Sequence, residues 1–142
     1  MEPRVSIITL GVSDLERSCN FYQTLGFPTT SKVDAGIVFF QTRGVCVALY
    51  PLEKLAEDVS PDFAGKSTGF SGITLAHNTR EKSEVDATLA LAERSGGKIV
   101  KPAQDVFWGG YSGYFTDPDG HLWEVAYAEF WQFNEDGSLV IE

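Results

Sequence analysis

The stretch GYSGYFTDPDGHLWEVAY, residues 110–127, decides how the chain is read, because two apolar runs of strand character flank the tetrapeptide Asp117-Pro118-Asp119-Gly120. Proline presets φ, aspartate bonds neighbouring amides, and glycine tolerates a positive φ, so DPDG closes a β-hairpin. Both aspartates are therefore read as turn residues rather than catalytic ones. In the strand that follows, alternation sends Trp123, Val125 and Tyr127 to one face, with His121, and Leu122, Glu124 and Ala126 to the other. The aromatic and branched face suits packing under a helix. Glu124 is then left on the opposite face, where a carboxylate needs a reason.

Upstream of this hairpin, ITLAHNT at 73–79 reads as a strand, a helix follows at about 83–95 with Val85, Leu89 and Ala92 on one face, and KIVKP is a short strand. The first part of the chain has the same order. VSIITLGV at 5–12 is a strand, and Ser13 and Glu16 have the spacing of a capping box for a helix bearing Leu15, Ser18, Cys19, Tyr22 and Leu25, with Gly26 at its end. GIVFFQTRGVCVALY at 36–50 is a second hairpin around QTRG. The tripeptide ITL recurs from 8–10 at 73–75, an offset of 65 residues, so the chain is read as two copies of one β-α-β-β-β module.

The expected organisation is a single domain over 1–142. Module one spans 4–50, a linker or lid 51–69, module two 70–128 and a C-terminal tail 129–142. Within the linker, 51–59 is expected to form a short helix and 60–69 is rich in turn residues; long connecting segments of this kind are often binding loops. Phe130, Trp131 and Phe133 in the tail are expected to cover the domain's edge or a partner subunit.

Twenty acidic residues against eleven basic ones give a net charge of -9, which opposes nucleic acid and anionic lipid and favours a cationic ligand. No apolar run reaches the roughly 20 residues of a membrane helix, and the N-terminal residues lack a signal-peptide core, so a cytoplasmic location is expected. Cys19 and Cys46 lack any CxxC or adjacent histidine and are read as reduced apolar residues.

Taken together, V-S-D-L-E-R-S-x-x-F-Y-x-x-L-G-F near the start, W-G-G-Y-S-G-Y-F at 108–115 and D-P-D-G-H-L-W-E-V at 117–125 resemble the glyoxalase/bleomycin-resistance/dioxygenase family, the vicinal oxygen chelate superfamily. The resemblance covers about residues 4–137. It implies an α+β fold in which paired β-α-β-β-β modules form an open, incomplete β-barrel around a ligand cleft, and it implies a homodimer. Enzymes of the family hold a divalent metal through His, Gln and Glu on strands. Carried over by position, the four metal-ligand sites fall on Ile7, Ala48, Gly72 and Glu124, of which only Glu124 can ligate a metal. His77 lies five residues past Gly72, on the other face, and is read as a surface or satisfied histidine.

No metal or other cofactor is therefore expected. The expected site consists of Glu124 as ligand-binding and candidate catalytic residue, with Phe39, Ala48, Trp108, Tyr111 and Tyr114 as ligand-binding walls. Aromatic faces beside an acid suit a planar or cationic small molecule. The leading expectation is a metal-free binder of a small organic ligand, in the manner of the bleomycin-resistance members, which sequester a cationic drug. The alternatives are a metal-dependent lyase or dioxygenase of glyoxalase type, and a structural dimer with a vestigial cleft. Neither nucleic acid nor membrane is an expected partner.

Overall fold

The computed structural model describes residues 1, 5–60, 70–71 and 73–140, and the chain divides into two compact units, Met1–Gly72 and Ile73–Glu142. The turn-rich part of the linker, 61–69, and Gly72 lie outside the described residues.

In the first unit, β1 (Ile7–Val12) leads into α1 (Leu15–Thr24), and a 3-10 turn at Val33–Ala35 precedes β2 (Val38–Phe40) and β3 (Cys46–Pro51). The sheet order is β1-β3-β2, with β1 parallel and β2 antiparallel to β3. Alternation divides its residues cleanly. Leu10, Val12, Val38, Phe40, Val47 and Leu49 point to the α1 side and are buried, where Tyr22 meets Phe40 and Phe27 at ring separations of 5.6 and 5.5 Å. On the other face, Thr9, Ala48 and Phe39 form one row across the three strands.

The helix cap differs from expectation. Asp14, not Ser13, caps α1 by accepting the Arg17 amide, while the Ser13 hydroxyl accepts from the Arg17 guanidinium. Asp and Ser are nearly equivalent caps, so the sequence pattern alone sets the helix start only to within a residue. Nor do the described residues of this unit form a fourth strand. The segment 28–32 runs beside β2 but is held by hydroxyls: Thr29 donates to the Phe39 carbonyl, and Ser31 accepts the Phe39 amide. Gln41 completes the edge by donating its amide to the Pro28 carbonyl.

A short helix, α2 (Leu52–Val59), follows β3 directly and packs against β1 and β3. It lies over the face bearing Thr9, because a Cβ on Gly11 would come within 2.5 Å of the Leu52 side chain. A Cβ at Gly11 would require the Leu52 side chain to shift and its Cα, 3.2 Å away, to give slightly.

The second unit contains β4 (Leu75–Asn78), α3 (Lys82–Arg94), β5 (Lys98–Asp105), β6 (Tyr111–Thr116) and β7 (Leu122–Tyr127), in the sheet order β4-β7-β6-β5. A capping box of Glu81 and Glu84 starts α3. Its buried residues Val85, Leu89 and Ala92 cover the face carrying Phe115, Trp123 and Val125, with Phe115 and Trp123 stacked at 6.1 Å. At the turn between β6 and β7, Asp117 is 2% exposed and its carboxylate accepts the amides of Asp119 and His121, each at 2.9 Å. Gly120 has φ 90°, as a turn of this kind requires.

In the tail, Phe130 and Trp131 pack onto Trp108 at 6.5 and 5.4 Å, and Arg80 lies over the Phe133 ring at 4.6 Å. The tail aromatics thus cover an edge of their own unit. Among the described residues no helix is long and apolar enough to cross a membrane.

Two substitutions test this packing. Gly113→Ala would set a Cβ 2.6 Å from Leu89 and 2.8 Å from the Lys101 carbonyl oxygen, and backbone cannot yield there. It should cost about 2–3 kcal/mol, seen as a lower urea midpoint at unchanged m-value. Asp117→Ala, which strips two part-buried amides of their acceptor, should cost about 1–2 kcal/mol by the same measurement.

Candidate functional site

Strand pairing places Glu124 in a row of four side chains across the second sheet: Ala76 on β4, Glu124 on β7, Tyr114 on β6 and Lys101 on β5. Directly opposed residues project to the same face, so this row lies on the face away from α3. The Glu124 and Tyr114 side chains are both half-buried. Burial, and then the nearby Glu124 carboxylate, raise the Tyr114 pKa above its ordinary value. Lys101 adds its ammonium over the Tyr114 ring, 5.9 Å from the centroid. The phenol thus stays protonated at neutral pH and is a hydrogen-bond donor next to an acceptor-only carboxylate.

Of the expected wall residues, Tyr114 alone stands in the Glu124 row. Tyr111 is three residues from Tyr114 and so projects to the opposite, α3 side. Its hydroxyl donates to both Asp86 carboxylate oxygens at 3.0 Å, and Lys82, bound to Asp105 at 2.8 Å, lies over its ring. The odd spacing, visible in the sequence, already separates the two tyrosines; treating the aromatics as one group hid it. Trp108 sits in the turn between β5 and β6, folded over Gly110 and stacked on Trp131. It is engaged with the tail, not placed in the Glu124 row.

Phe39 and Ala48 belong to the first unit, adjacent to each other in the row with Thr9; Phe39 is 40% exposed and Ala48 fully buried. His77 pairs with Val125 and so lies on the α3 side, exposed.

Register also corrects the correspondence between the two units. Ala48 and Glu124 each stand four residues after a turn glycine of positive φ, Gly44 and Gly120. Ala48 lies opposite Thr9, and Glu124 opposite Ala76, so the strands β1 and β4 match at an offset of 67, not 65. The counterpart of Ile7 is then Thr74 rather than Gly72. A shift of two keeps the same face, which is why the ITL repeat could mislead without disturbing the alternation. The four positions become Ile7, Ala48, Thr74 and Glu124: two hydrocarbons, a neutral hydroxyl and one carboxylate. A catalytic divalent ion takes about three protein ligands. Among the described residues no group of three His, Cys, Asp or Glu side chains could hold an ion. The donor set does not fit a metal of the family's kind.

The first unit contains a cavity that the sequence did not reveal. About 440 Å³ in volume, it lies on the Thr9 face between the sheet and α2, lined by Thr9, Ala35, Gly36, Ile37, Tyr50, Lys54, Leu55 and Asp58. The signal available was the spacing of Lys54, Leu55 and Asp58 on one side of a short helix, which has no meaning until the helix is known to lie on the sheet.

The family model of the Glyoxalase/Bleomycin resistance protein/Dioxygenase superfamily matches residues 4–125. The chain belongs to this superfamily. Its structure superposes on a glyoxalase-related enzyme from Fulvimarina pelagi with a TM-score of 0.87 and 34% identity, covering 98% of both chains. The metallothiol transferase FosB of Shouchella clausii (strain KSM-K16) is 27% identical over 122 residues, 85% of this chain and 77% of that protein. A lactoylglutathione lyase from Agrobacterium tumefaciens shares the fold, with a TM-score of 0.66 at 21% identity over 94% of this chain and all of the other. The α+β glyoxalase fold is thus established for this chain.

The Glu124–Tyr114 contact has a measurable consequence in alkaline solution. Tyr114 should ionise above the usual tyrosine range, and Glu124→Gln should bring it down, read by ultraviolet difference titration with Tyr114→Phe as the blank. Because the folded pKa is raised, the associated stability is complete below the unfolded pKa of about 10 and is lost as pH rises through the folded value. Thermal melts between those two points should therefore fall more steeply in the native protein than in Tyr114→Phe.

Proposed function

We propose that the protein binds a small organic ligand, aromatic or cationic, against the Glu124 face, without a divalent metal and as a homodimer. The observation that carries this proposal is the composition of the four positions at which metal enzymes of the superfamily place their ligands: here they are Ile7, Ala48, Thr74 and Glu124. Loss of three ligands leaves a single carboxylate beside a protonated phenol. That pair can accept a hydrogen bond from, or pair with, a cation, and donate one to an oxygen of the same ligand. The net charge of -9 favours the approach of a cation. For the dimer, the support is exposed apolar surface: Ile7 is 49%, Phe130 62% and Phe107 fully exposed.

A second reading is catalytic and is favoured by the same pair. Glu124 would act as a general base with Tyr114 as the neutral donor, in a lyase-like proton transfer. It differs in requiring turnover rather than binding alone.

Metal content separates the two from a metalloenzyme. Protein purified without chelator should carry well under one divalent ion per chain, and added zinc, nickel or manganese should leave its melting temperature unchanged; an ion bound one to one and lost in Glu124→Ala would overturn the proposal. A saturating cationic aromatic ligand should raise the melting temperature by roughly 5 °C, and Glu124→Gln should weaken it about tenfold. Turnover of a glutathione hemithioacetal abolished by Glu124→Gln would favour the catalytic reading. No shift with any cation or aromatic would leave a vestigial cleft. Light scattering should give twice the 15.6 kDa chain mass.

A further inference from the structure

The cavity beneath α2 has a chemical character of its own. Part of its lining is small or apolar, from Ala35, Gly36, Ile37 and Leu55, while Thr9 and Tyr50 bring hydroxyls from the sheet, and Lys54 and Asp58 bring opposite charges from the helix. Thr9 and Tyr50 share a face, since Ala48 opposite Thr9 and Tyr50 are two residues apart on β3. Lys54 and Asp58 stand one helical turn apart, a spacing at which a lysine and an aspartate can meet. They form no ion pair with each other, and neither has an ion-pair or hydrogen-bond partner among the described residues. The lysine precedes the acid, the less favourable order for a pair within a helix, so an external partner competes well for both.

We infer that this cavity is a binding site for a dipolar small molecule, one that carries an ammonium and a carboxylate on a compact apolar body, as an amino acid does. Asp58 receives the ammonium, and Lys54, assisted by the Tyr50 or Thr9 hydroxyl, receives the carboxylate. A simple anion would satisfy Lys54 and be repelled by Asp58, and a simple cation would meet the reverse. Only a ligand with both charges satisfies both side chains. The volume of about 440 Å³ lies in the lower part of the range of small-molecule pockets, which suits a body the size of one aromatic or branched side chain. Beside the site, Gly11 leaves room for Leu52 at the start of α2 to approach the sheet. The inference takes from the proposed function only that the ligand is a small organic molecule, and it makes no use of Glu124.

The test is a titration followed by amide NMR with three probes that share one apolar body: L-phenylalanine, 2-phenylethylamine and 3-phenylpropanoate. L-phenylalanine should shift the amides of Thr9, Gly36, Ile37, Tyr50 and 54–58, and bind about tenfold or more tightly than either singly charged analogue. Lys54→Gln should lower the affinity for L-phenylalanine to that of the amine, whose own affinity stays unchanged. Asp58→Asn should do the same with respect to the acid. Both positions are exposed on the helix, so the fold should survive, as circular dichroism would report. Equal affinity for all three probes, shifts that map elsewhere, indifference to both substitutions, or no binding of L-phenylalanine at 20 mM would each overturn the inference. Glu124→Gln separates the two proposals, because it should weaken the cation response of the Glu124 face about tenfold and leave the L-phenylalanine response intact.

Discussion

Everything in this chain depends on one constraint: each sheet has one face sealed against a helix, α1 or α3, by buried hydrophobic side chains. The α1 aromatics fix the back of the first sheet through Phe40, Val38 and Leu49, and α3 fixes the back of the second through Phe115, Trp123 and Val125. Burial of such side chains contributes roughly 1.5–3 kcal/mol each, so a one-residue slip of any strand would forfeit several of these at once. The faces bearing Glu124 and Thr9 are thereby defined by exclusion. Whatever polar group stands there is held in register by the hydrophobic contacts behind it.

That dependence explains what was legible in the sequence. Alternation along HLWEVAY was enough to assign Trp123 and Val125 to the helix and Glu124 to the other face, and turn chemistry was enough to make Asp117 a structural residue, as its two amide bonds bear out. Helices announced themselves through periodicity and glycine stops. Less legible was anything set by pairing between strands distant in sequence. The offset between β1 and β4 could be fixed only by knowing that Ala76, not Thr74, faces Glu124. Tyr111 was grouped with Tyr114 because both are aromatic, although parity alone separates them and Asp86 accounts for the hydroxyl.

The candidate site shows a similar limit. Glu124 was found because a lone carboxylate on an otherwise apolar strand is anomalous, but its partners are Tyr114 from the neighbouring strand and Lys101 beyond it. In the sequence, nothing distinguishes the Lys54 and Asp58 charges from the ordinary solvated side of a helix. They acquire a different meaning once α2 is seated on the sheet, where Leu52 packs against Gly11, 41 residues earlier in the chain. Tertiary placement, rather than residue type, converts surface charge into a lined cavity.

The hydroxyls beside β2 have one more consequence. An outermost strand normally offers a free ladder of amides and carbonyls, which is an invitation to self-association. Here Ser31 occupies the Phe39 amide, Thr29 the Phe39 carbonyl, and the Pro28 carbonyl the Gln41 amide, so the rung positions are already filled by a segment that cannot itself extend the ladder. In the sheet of the second unit, β5 has Lys98, Lys101 and Pro102 and loses register twice along its length. Both margins are closed to amyloid-like growth by different means: one is spliced shut with side-chain oxygens, the other roughened by charge, proline and bulges.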